Sequence, residues 1–333
     1  MKKHRILSFI SAFVLGIVIL SGAIFGPVSA EEDTKKPAVW LQVSPTSTSI
    51  TLKPGDKYDG EFEVSNIGSE DFVFKVYASP FSVVGENYDH DYVSEKNYNQ
   101  IHRWVSFDKT EFTLSAEVKN SKTPEKYECP KDKICKVKVT YHINVPEDVP
   151  SGSQHAVLFA ESSDNDAEPS GSGIKAISRV GMRLSARVPG ETNENVEIID
   201  YDLPTIYISF DGLKITATSK IQNSGNVDAE AKYHFVVHPF FGGDPIFQSD
   251  KTNLIYPDSE FRHNVIWENT PLLGLFSVTY SITANSVVKD ETRIILVMPA
   301  WLLIIIIGLL TFLAIWITLK VKKRRQLHSK MQL

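Results

Sequence analysis

The chain has 333 residues, 42% of them hydrophobic and 23% charged, with 35 Lys and Arg against 40 Asp and Glu. All the acidic residues lie between Glu31 and Glu291, whereas basic residues also stand before and after that range, so the middle of the chain is acidic. An acidic surface argues against nucleic acid as a partner, because that contact depends on cations that neutralise phosphates. The simpler interpretation is that the charge keeps the protein soluble.

Residues 1–30 have the layout of a secretory signal peptide. Basic residues open the chain, an apolar stretch runs from Ile6 to Phe25, and the small residues Val28 and Ala30 mark a cleavage site. An uncleaved membrane anchor is the alternative, but the polar run that starts at Glu31 favours cleavage after Ala30. The mature chain is therefore expected to be exported.

Residues 31–297 are dominated by a period of two, in which apolar and polar side chains alternate. Half-buried strands produce this pattern, with one face on a core and the other in water. It is clearest in the segments Val137–Val145, Val180–Val188, Leu213–Ile221 and Ala231–Val237. A region of this length is expected to hold about two domains.

Two turns with the same residue types mark the two halves of this region. Asn66-Ile67-Gly68 and Asn223-Ser224-Gly225 each lie between alternating strands, and both Asn and Gly tolerate positive φ. We interpret them as an internal repeat, with chance similarity as the alternative. The prediction is an all-β chain of two tandem immunoglobulin-like β-sandwiches plus a C-terminal transmembrane helix. The polar break after Pro189 places the first sandwich at residues 31–190 and the second at 191–297.

Two groups of side chains in the first sandwich are candidate binding residues. Aromatic residues in a long loop from Val83 to Trp104 could contact a glycan or a protein, or could pack back on the sandwich rim. Three arginines share one face of a predicted strand at intervals of about 13 Å. They could hold carboxylate or phosphate groups of a wall polymer, or pair with acidic residues on neighbouring strands. The residues are Tyr88, Tyr92, Tyr98 and Trp104 in the loop, and Arg179, Arg183 and Arg187 on the strand.

Cys129 and Cys135 are the two cysteines of the chain and stand close together in the sequence. In an exported chain, a near pair at the tip of a hairpin is typical of a disulfide. Zinc is the weaker interpretation, because a closed zinc site needs four ligands and the sequence has no second pair.

The sequence contains no nucleophile elbow, Walker loop, dinucleotide fingerprint or H-E-x-x-H motif, so we predict no enzyme, no cofactor and no metal. His234 and His238 share a strand face but lie about 13 Å apart, too far to bind one metal. Asp89-His90-Asp91 and Asp164-Asn165-Asp166 supply oxygen ligands for calcium but lack the full spacing of a calcium loop, so solvated loops are favoured. A hydrolase that uses Asp89, His90 and Asp91 is the enzymatic alternative.

The far end of the chain is predicted to cross a membrane, with the helix at residues 298–319. Pro299 to Leu319 carry no charge and span about 31 Å at the helical rise, close to the thickness of a bilayer's hydrocarbon core. Trp301 and Trp316 stand near the two ends, where indole rings prefer the interface. Basic residues follow at once, so the tail at 320–333 is expected in the cytoplasm and the sandwiches outside the cell.

Several short motifs and the layout together resemble one family. The motifs are Leu52-x-Pro54-Gly55, Asn66-x-Gly68 and Ile143-Asn144-Val145-Pro146 leading to Pro150-Ser151-Gly152. With an export signal, a second sandwich, one membrane helix and a basic tail, the chain resembles the WxL-interacting surface proteins of bacteria. The resemblance implies that the first sandwich binds peptidoglycan and that the second binds WxL-domain or host proteins.

The sequence therefore predicts a non-enzymatic cell-surface binding or scaffold protein, tethered to the cell membrane through Pro299–Leu319. It is expected to hold a cell-wall polymer (peptidoglycan), a WxL-type surface protein, or both. The alternative is an accessory subunit of a membrane export or surface-assembly machine, which acts through the helix and the membrane-near domain. Sandwich edges could also pair with a strand of a partner, because they present unpaired backbone groups.

Overall fold

The computed structural model describes residues 39–119, 127–163, 177–209 and 214–330, and only the backbone beyond residue 322. The predicted signal peptide at residues 1–30 and the acidic loop at 164–166 lie outside the described residues. Leu213, which was predicted to begin a strand, lies outside them as well.

Strands make up almost all the regular structure of the described chain, and one long helix ends it. The strands are β1 Leu41–Ser44, β2 Ser47–Thr51, β3 Lys57–Asn66, β4 Phe72–Pro80, β5 Ser82–Val84, β6 Asp89–Asp91, β7 Val105–Phe107, β8 Glu111–Leu114, β9 Val118–Lys119, β10 Tyr127–Glu128, β11 Lys136–Asn144, β12 Gly152–Ser162, β13 Arg179–Val188, β14 Val196–Asp202, β15 Ile206–Ser209, β16 Ile215–Asn223, β17 Ala229–Pro239, β18 Phe247–Ile255, β19 Ser259–Trp267, β20 Gly274–Ala284 and β21 Val287–Pro299. A short 3₁₀ helix covers Gln100–Arg103, and helix α1 covers Ala300–Lys330.

The first sandwich packs the sheet β1–β3–β11–β7 against the sheet β2–β13–β12–β4–β8. Alternation along the strands creates its core, because every second side chain points between the sheets. Phe62 of β3 lies opposite Val139 of β11, and both are buried with Leu158 and Leu184 from the other sheet. Strand β2 joins β13 in parallel, and the other pairs of this sandwich are antiparallel among the described residues.

The second sandwich packs the sheet β14–β16–β19 against the sheet β15–β21–β20–β17–β18. Its largest fully buried side chains are Trp267, Tyr233 and Tyr280. The predicted fold class is confirmed, since each domain is a β-sandwich of two packed sheets and an apolar helix follows them.

Strand β12 departs from the alternation seen in its neighbours. Nearly all of its residues are buried, on both faces of the sheet. One face lies in the core of the first sandwich. On the other face Val157 and Phe159 are covered by Phe81, Val83 and Tyr256, the last of which belongs to the second sandwich. A strand that is covered on both faces loses its period of two.

The two predicted turns use the same hydrogen bond. Asn66 Oδ1 accepts from the Gly68 N–H at 2.9 Å, and Asn223 Oδ1 accepts from the Gly225 N–H at 2.9 Å. Both asparagines are fully buried, so their side chains replace backbone partners inside the fold. None of these four residues has a positive φ. A Cβ on Gly225 would instead lie 2.2 Å from the Asn193 carbonyl oxygen, which explains the glycine.

The last strand continues into the helix without a linker. Met298 and Pro299 pair with β15 as the end of β21, and α1 begins at the next residue, Ala300. The helix therefore starts two residues after the predicted position 298. Residues Ala300–Lys322 are long and apolar enough to cross a membrane, and they are not buried within the chain.

We expect Asn223→Ala to destabilise the second sandwich by about 3 kcal/mol, because it leaves several buried backbone groups without a partner. The Asn223 side chain accepts a hydrogen bond from the Gly225 N–H and donates hydrogen bonds to the carbonyl oxygens of Val227 and Ile255. Urea unfolding followed by tryptophan fluorescence measures the change. Asn264→Ala, at an exposed position of β19, is the control, and equal midpoints for both variants would contradict the role of the turn.

Candidate functional site

The segment from Val83 to Trp104 is not the long loop that the sequence predicted. It contains the hairpin β5–β6 and the 3₁₀ helix Gln100–Arg103. Trp104 is 7% exposed and belongs to the core of the first sandwich, and Tyr98 is 5% exposed. Their rings are therefore unavailable for external contact, because the segment folds back on the sandwich rim.

The hairpin β5–β6 contacts the second sandwich through the turn between its strands. We call this element, residues 82–91, the docking hairpin. The Tyr88 ring lies 4.6 Å from the Phe261 ring and 5.8 Å from the Tyr256 ring, centroid to centroid. The Tyr88 hydroxyl lies 3.1 Å from Ser259 Oγ and accepts from the Tyr256 N–H at 3.3 Å. Burial in this position raises the pKa of Tyr88 to about 12.

A carboxylate of the docking hairpin joins two cations of the second sandwich. Glu86 Oε2 accepts from Arg262 Nε at 2.5 Å, and Glu86 Oε1 lies 2.6 Å from Lys220 Nζ. Lys220 also contacts Glu260 at 2.5 Å. The hydrogen bonds from Arg262 and Lys220 lower the pKa of Glu86 to about 2. The Arg262 N–H donates to the Glu86 carbonyl oxygen at 2.9 Å, which fixes the backbone as well.

Further contacts join the two sandwiches beside the hairpin. The fully buried His155 of β12 lies 2.8 Å from Asp228 Oδ1 through Nε2 and 3.1 Å from Ser185 Oγ through Nδ1. The Tyr256 ring packs edge-on against this imidazole at 4.9 Å. Arg183 donates to the Tyr256 hydroxyl at 2.7 Å. The sandwiches therefore meet through rings, ion pairs and buried hydrogen bonds.

The outer face of the first sandwich carries a second cluster of rings. Phe159 of β12 packs against Tyr92 at 5.0 Å and against Tyr77 at 5.5 Å. The Arg179 guanidinium lies 4.7 Å from the Phe159 centroid and 3.7 Å from a Glu161 oxygen. The Tyr77 hydroxyl donates to Glu161 at 2.7 Å. Burial, and then the Glu161 carboxylate, raise the pKa of Tyr77 above its usual value.

Phe159 and Tyr92 of this cluster border a depression of about 310 Å³, which we call the aromatic groove. Gly181 opens it, because a Cβ at this residue would lie 2.3 Å from Val157 Cγ1 and 2.9 Å from the Phe159 ring. The lining residues are Thr46, Ser47, Phe81, His90, Tyr92, Val157, Phe159, Gly181 and Arg183. The Phe81 and Phe159 rings are buried, at 2% and 5% exposed, so Tyr92 and His90 supply the rings that reach solvent. The groove thus combines these accessible rings with hydroxyl groups and the Arg183 guanidinium, and the Arg179 guanidinium lies at its border.

This combination suits a ligand with both flat apolar faces and acidic groups. Aromatic rings give rigid amphipathic contact area, and guanidinium groups bind carboxylate or phosphate oxygens with directed hydrogen bonds. Arg179 and Arg183 lie on the same face of β13, four residues apart, so their Cα atoms are about 13 Å apart.

The structure brings together only some of the candidate residues. Tyr92, Arg179 and Arg183 meet at the aromatic groove. Tyr88 lies instead between the sandwiches. Arg187 stands in register with Ser153 and Thr51, one further interval of about 13 Å along the strand from Arg183. The three arginines therefore share one face of β13, but only Arg179 and Arg183 lie at the aromatic groove.

Cys129 and Cys135 are bonded as a disulfide, with Cα atoms 5.7 Å apart. Among the described residues no cluster of His, Cys, Asp and Glu could hold a metal ion. His234 pairs with Asp250 at 2.5 Å. Asp91 accepts the backbone N–H groups of Val93 and Ser94 at 2.9 and 3.2 Å, which is a turn contact.

Several residues that build the two clusters carry no signal in the sequence. Phe159 and His155 lie in a strand that is buried throughout, so no periodicity separates their faces. Glu86 and Arg262 are two of the many charged residues in the sequence. Their ion pair depends on how the two sandwiches pack against each other. Glu86 directly follows Gly85, whose φ is 68°, and this glycine is a local signal for the turn of the hairpin.

No protein-family model matches the chain, and no curated protein matches it. Solved structures similar to it include a chaperone–tip adhesin complex of CFA/I fimbriae, with 16% identity, 78% of this chain and 99% of that chain covered, and a TM-score of 0.36. The class 5 fimbriae chaperone CfaA shows 14% identity, the same coverage and a TM-score of 0.37. The CsuC–CsuE pre-assembly complex of Acinetobacter baumannii shows 10% identity, 78% and 99% coverage and a TM-score of 0.35. At such values the likeness carries no argument about function.

We expect Glu86→Gln to lower the thermal unfolding midpoint at neutral pH, because the amide keeps the shape of the carboxyl but loses its charge. The pKa of Glu86 is lowered from 4.5 to about 2 in the folded protein. Its contribution to stability is therefore complete above pH 4.5 and is lost as the pH falls towards about 2. The difference in midpoint between variant and wild type should shrink over this range in calorimetric scans.

Glu111→Gln is the matched control, because Glu111 contacts one lysine, Lys75, at 3.9 Å and both side chains are more than half exposed. It should leave the midpoint nearly unchanged at every pH. A Glu86→Gln effect of equal size at pH 7 and at pH 2 would contradict the assignment.

Proposed function

We propose that this chain is a non-enzymatic, membrane-tethered surface protein whose first sandwich binds a polymer of the bacterial cell wall. The observation that carries the proposal is the aromatic groove, where the partly exposed Tyr92 ring packs against Phe159 beside the guanidinium groups of Arg179 and Arg183. The two sandwiches and the helix give this groove a fixed support.

The chemistry of the groove favours a glycan with acidic substituents, such as peptidoglycan. The apolar faces of sugar rings stack on aromatic side chains, and stem carboxylates can pair with arginine. Gly181 supports this assignment, since any side chain there would fill the groove at its floor. The resemblance to WxL-interacting proteins, in which the first sandwich is the wall-binding domain, agrees with the same ligand class.

The helix supports a tether at the cell membrane. Ala300–Lys322 is apolar, unburied and long enough to span a bilayer. The basic residues that follow Leu319 favour a cytoplasmic C-terminus, which puts both sandwiches on the outer side.

The second sandwich offers a site for a protein partner, which we propose to be a WxL-type surface protein. Strand β18, Phe247–Ile255, ends its sheet and pairs on one side with β17 among the described strands. Its outer side presents backbone groups that an added strand could pair with.

The test of wall binding is retention of the detergent-solubilised full chain on purified cell-wall sacculi. Arg179→Gln should weaken retention about tenfold, since a hydrogen bond to a charged group contributes about 1.5 kcal/mol or more. Arg187→Gln is the matched control: Arg187 lies on the same face of β13, whereas Arg179 is the arginine that lies over the Tyr92 and Phe159 rings of the groove.

Unfolding midpoints of both variants exclude a loss through misfolding. Equal retention of Arg179→Gln, Arg187→Gln and wild type on sacculi would contradict the groove as the wall-binding site. Failure of the wild-type chain itself to be retained would contradict wall binding altogether.

A further inference from the structure

The second sandwich exposes large apolar side chains at one end, the end where the membrane helix begins. Phe241 is 91% exposed, Leu272 64%, Ile206 61% and Leu273 58%. None of them contributes to the core of that sandwich. We call Ile206, Phe240, Phe241, Leu272 and Leu273 the apolar end.

Strand register places the apolar end beside the start of the helix. Gly274, which follows Leu273, pairs with Val297, so it lies two residues or about 7 Å from the last strand residue, Pro299. Ile206 pairs with Leu296 on the other side of β21.

The loop after β17 lies at the same end of the sandwich as the start of the helix. The Phe240 N–H donates to the Leu275 carbonyl oxygen at 3.0 Å, which ties the loop to the first residues of β20. The Phe240 and Phe241 rings contact each other at 5.2 Å, and Gly242 and Gly243 follow with φ of 92° and 125°. This glycine turn leaves the Phe241 ring at the tip of the loop.

The surroundings of the apolar end carry little charge. No charged residue occurs from Asn269 to Ser286. Glu268 and Lys214 lie near the ends of β19 and β16 and pair with each other at 3.3 Å. Asp244, between β17 and β18, and Asp211, between β15 and β16 in the sequence, are the other charged residues of the connections at this end. Because few charged groups must be desolvated, moving this end of the sandwich out of water costs little free energy.

The helix and the sandwich cannot separate, because no linker lies between them. Pro299 ends β21 in the sheet, and Ala300, 4% exposed, begins α1. A bilayer's headgroup region adds about 5–8 Å on each side of its hydrocarbon core. Loops at the level of Pro299 therefore lie at the depth of this region when α1 spans the bilayer.

We propose that the apolar end inserts into the outer interfacial layer of the same bilayer that α1 spans, with phospholipid as its ligand. Lipid is favoured over a protein because the surface is continuous with the apolar helix. The contact would hold the second sandwich against the membrane and fix the direction in which both sandwiches stand. This inference rests on the proposed membrane tether.

The test uses the full chain reconstituted in vesicles of phosphatidylcholine and phosphatidylglycerol, with an environment-sensitive fluorophore on a single introduced cysteine. The two native cysteines are bonded to each other, so the introduced thiol alone is labelled. Phe241→Cys and Leu272→Cys report on the apolar end. Val288→Cys, 65% exposed at the opposite end of β21, is the control outside the membrane. Leu310→Cys, within α1, reports on the span.

Nitroxide lipids labelled at the headgroup and at the middle of the acyl chain give the depth of each probe. The headgroup nitroxide should quench the probes at 241 and 272 severalfold more than the probe at 288, and the acyl nitroxide should quench the probe at 310. Equal, weak quenching at 241, 272 and 288 together with quenching at 310 would overturn the inference and leave the tether intact. A probe at 310 that the acyl nitroxide does not quench would overturn the tether, and the inference with it.

Discussion

The arrangement of the whole molecule depends on the docking hairpin. Its turn carries Tyr88 into a cluster of rings on the second sandwich and places Glu86 between Arg262 and Lys220. Burial of the Tyr88 ring stabilises the contact through the apolar area that it removes from water. The ion pairs of Glu86 fix the orientation of the hairpin through directed hydrogen bonds. Together with the contacts of His155 with Asp228 and of Arg183 with Tyr256, the docking hairpin joins two domains whose chain connection is polar. With it, the aromatic groove, the second sandwich and the helix keep fixed positions along one chain.

Such an arrangement suits a protein that holds a ligand at a set place relative to a membrane. The groove presents rings and arginines on the first sandwich. Because α1 follows β21 without a linker, the second sandwich is held close to the membrane. Insertion of the apolar end would add a second attachment beside the helix. Binding in this account needs no moving part and no catalytic group, because its specificity comes from a preformed surface on a rigid support.

Features of the fold that depend on a local residue pattern could be predicted from the sequence. Alternation predicted β11, β13, β16 and β17, and the Asn-x-Gly pattern predicted both buried asparagine turns. Charge and length predicted an apolar span, although pairing with β15 keeps Pro299 in the sheet. The contacts between sandwiches could not be predicted, because burial of β12 on both faces erases its period and because Glu86 meets Arg262 only through tertiary structure. The different positions of the candidate tyrosines could not be predicted either, because they depend on which of these side chains tertiary packing buries.

If both sandwiches form one rigid body, the distance between spin labels placed one on each sandwich is fixed. Labels on Thr113→Cys in β8 and Val288→Cys in β21, both exposed, report on one sandwich each. Pulsed electron resonance on the full chain should give a single narrow distance distribution. Removing the docking contact by Tyr88→Ala together with Glu86→Gln should broaden it. A broad distribution in the otherwise unchanged chain, as wide as in that variant, would contradict the account.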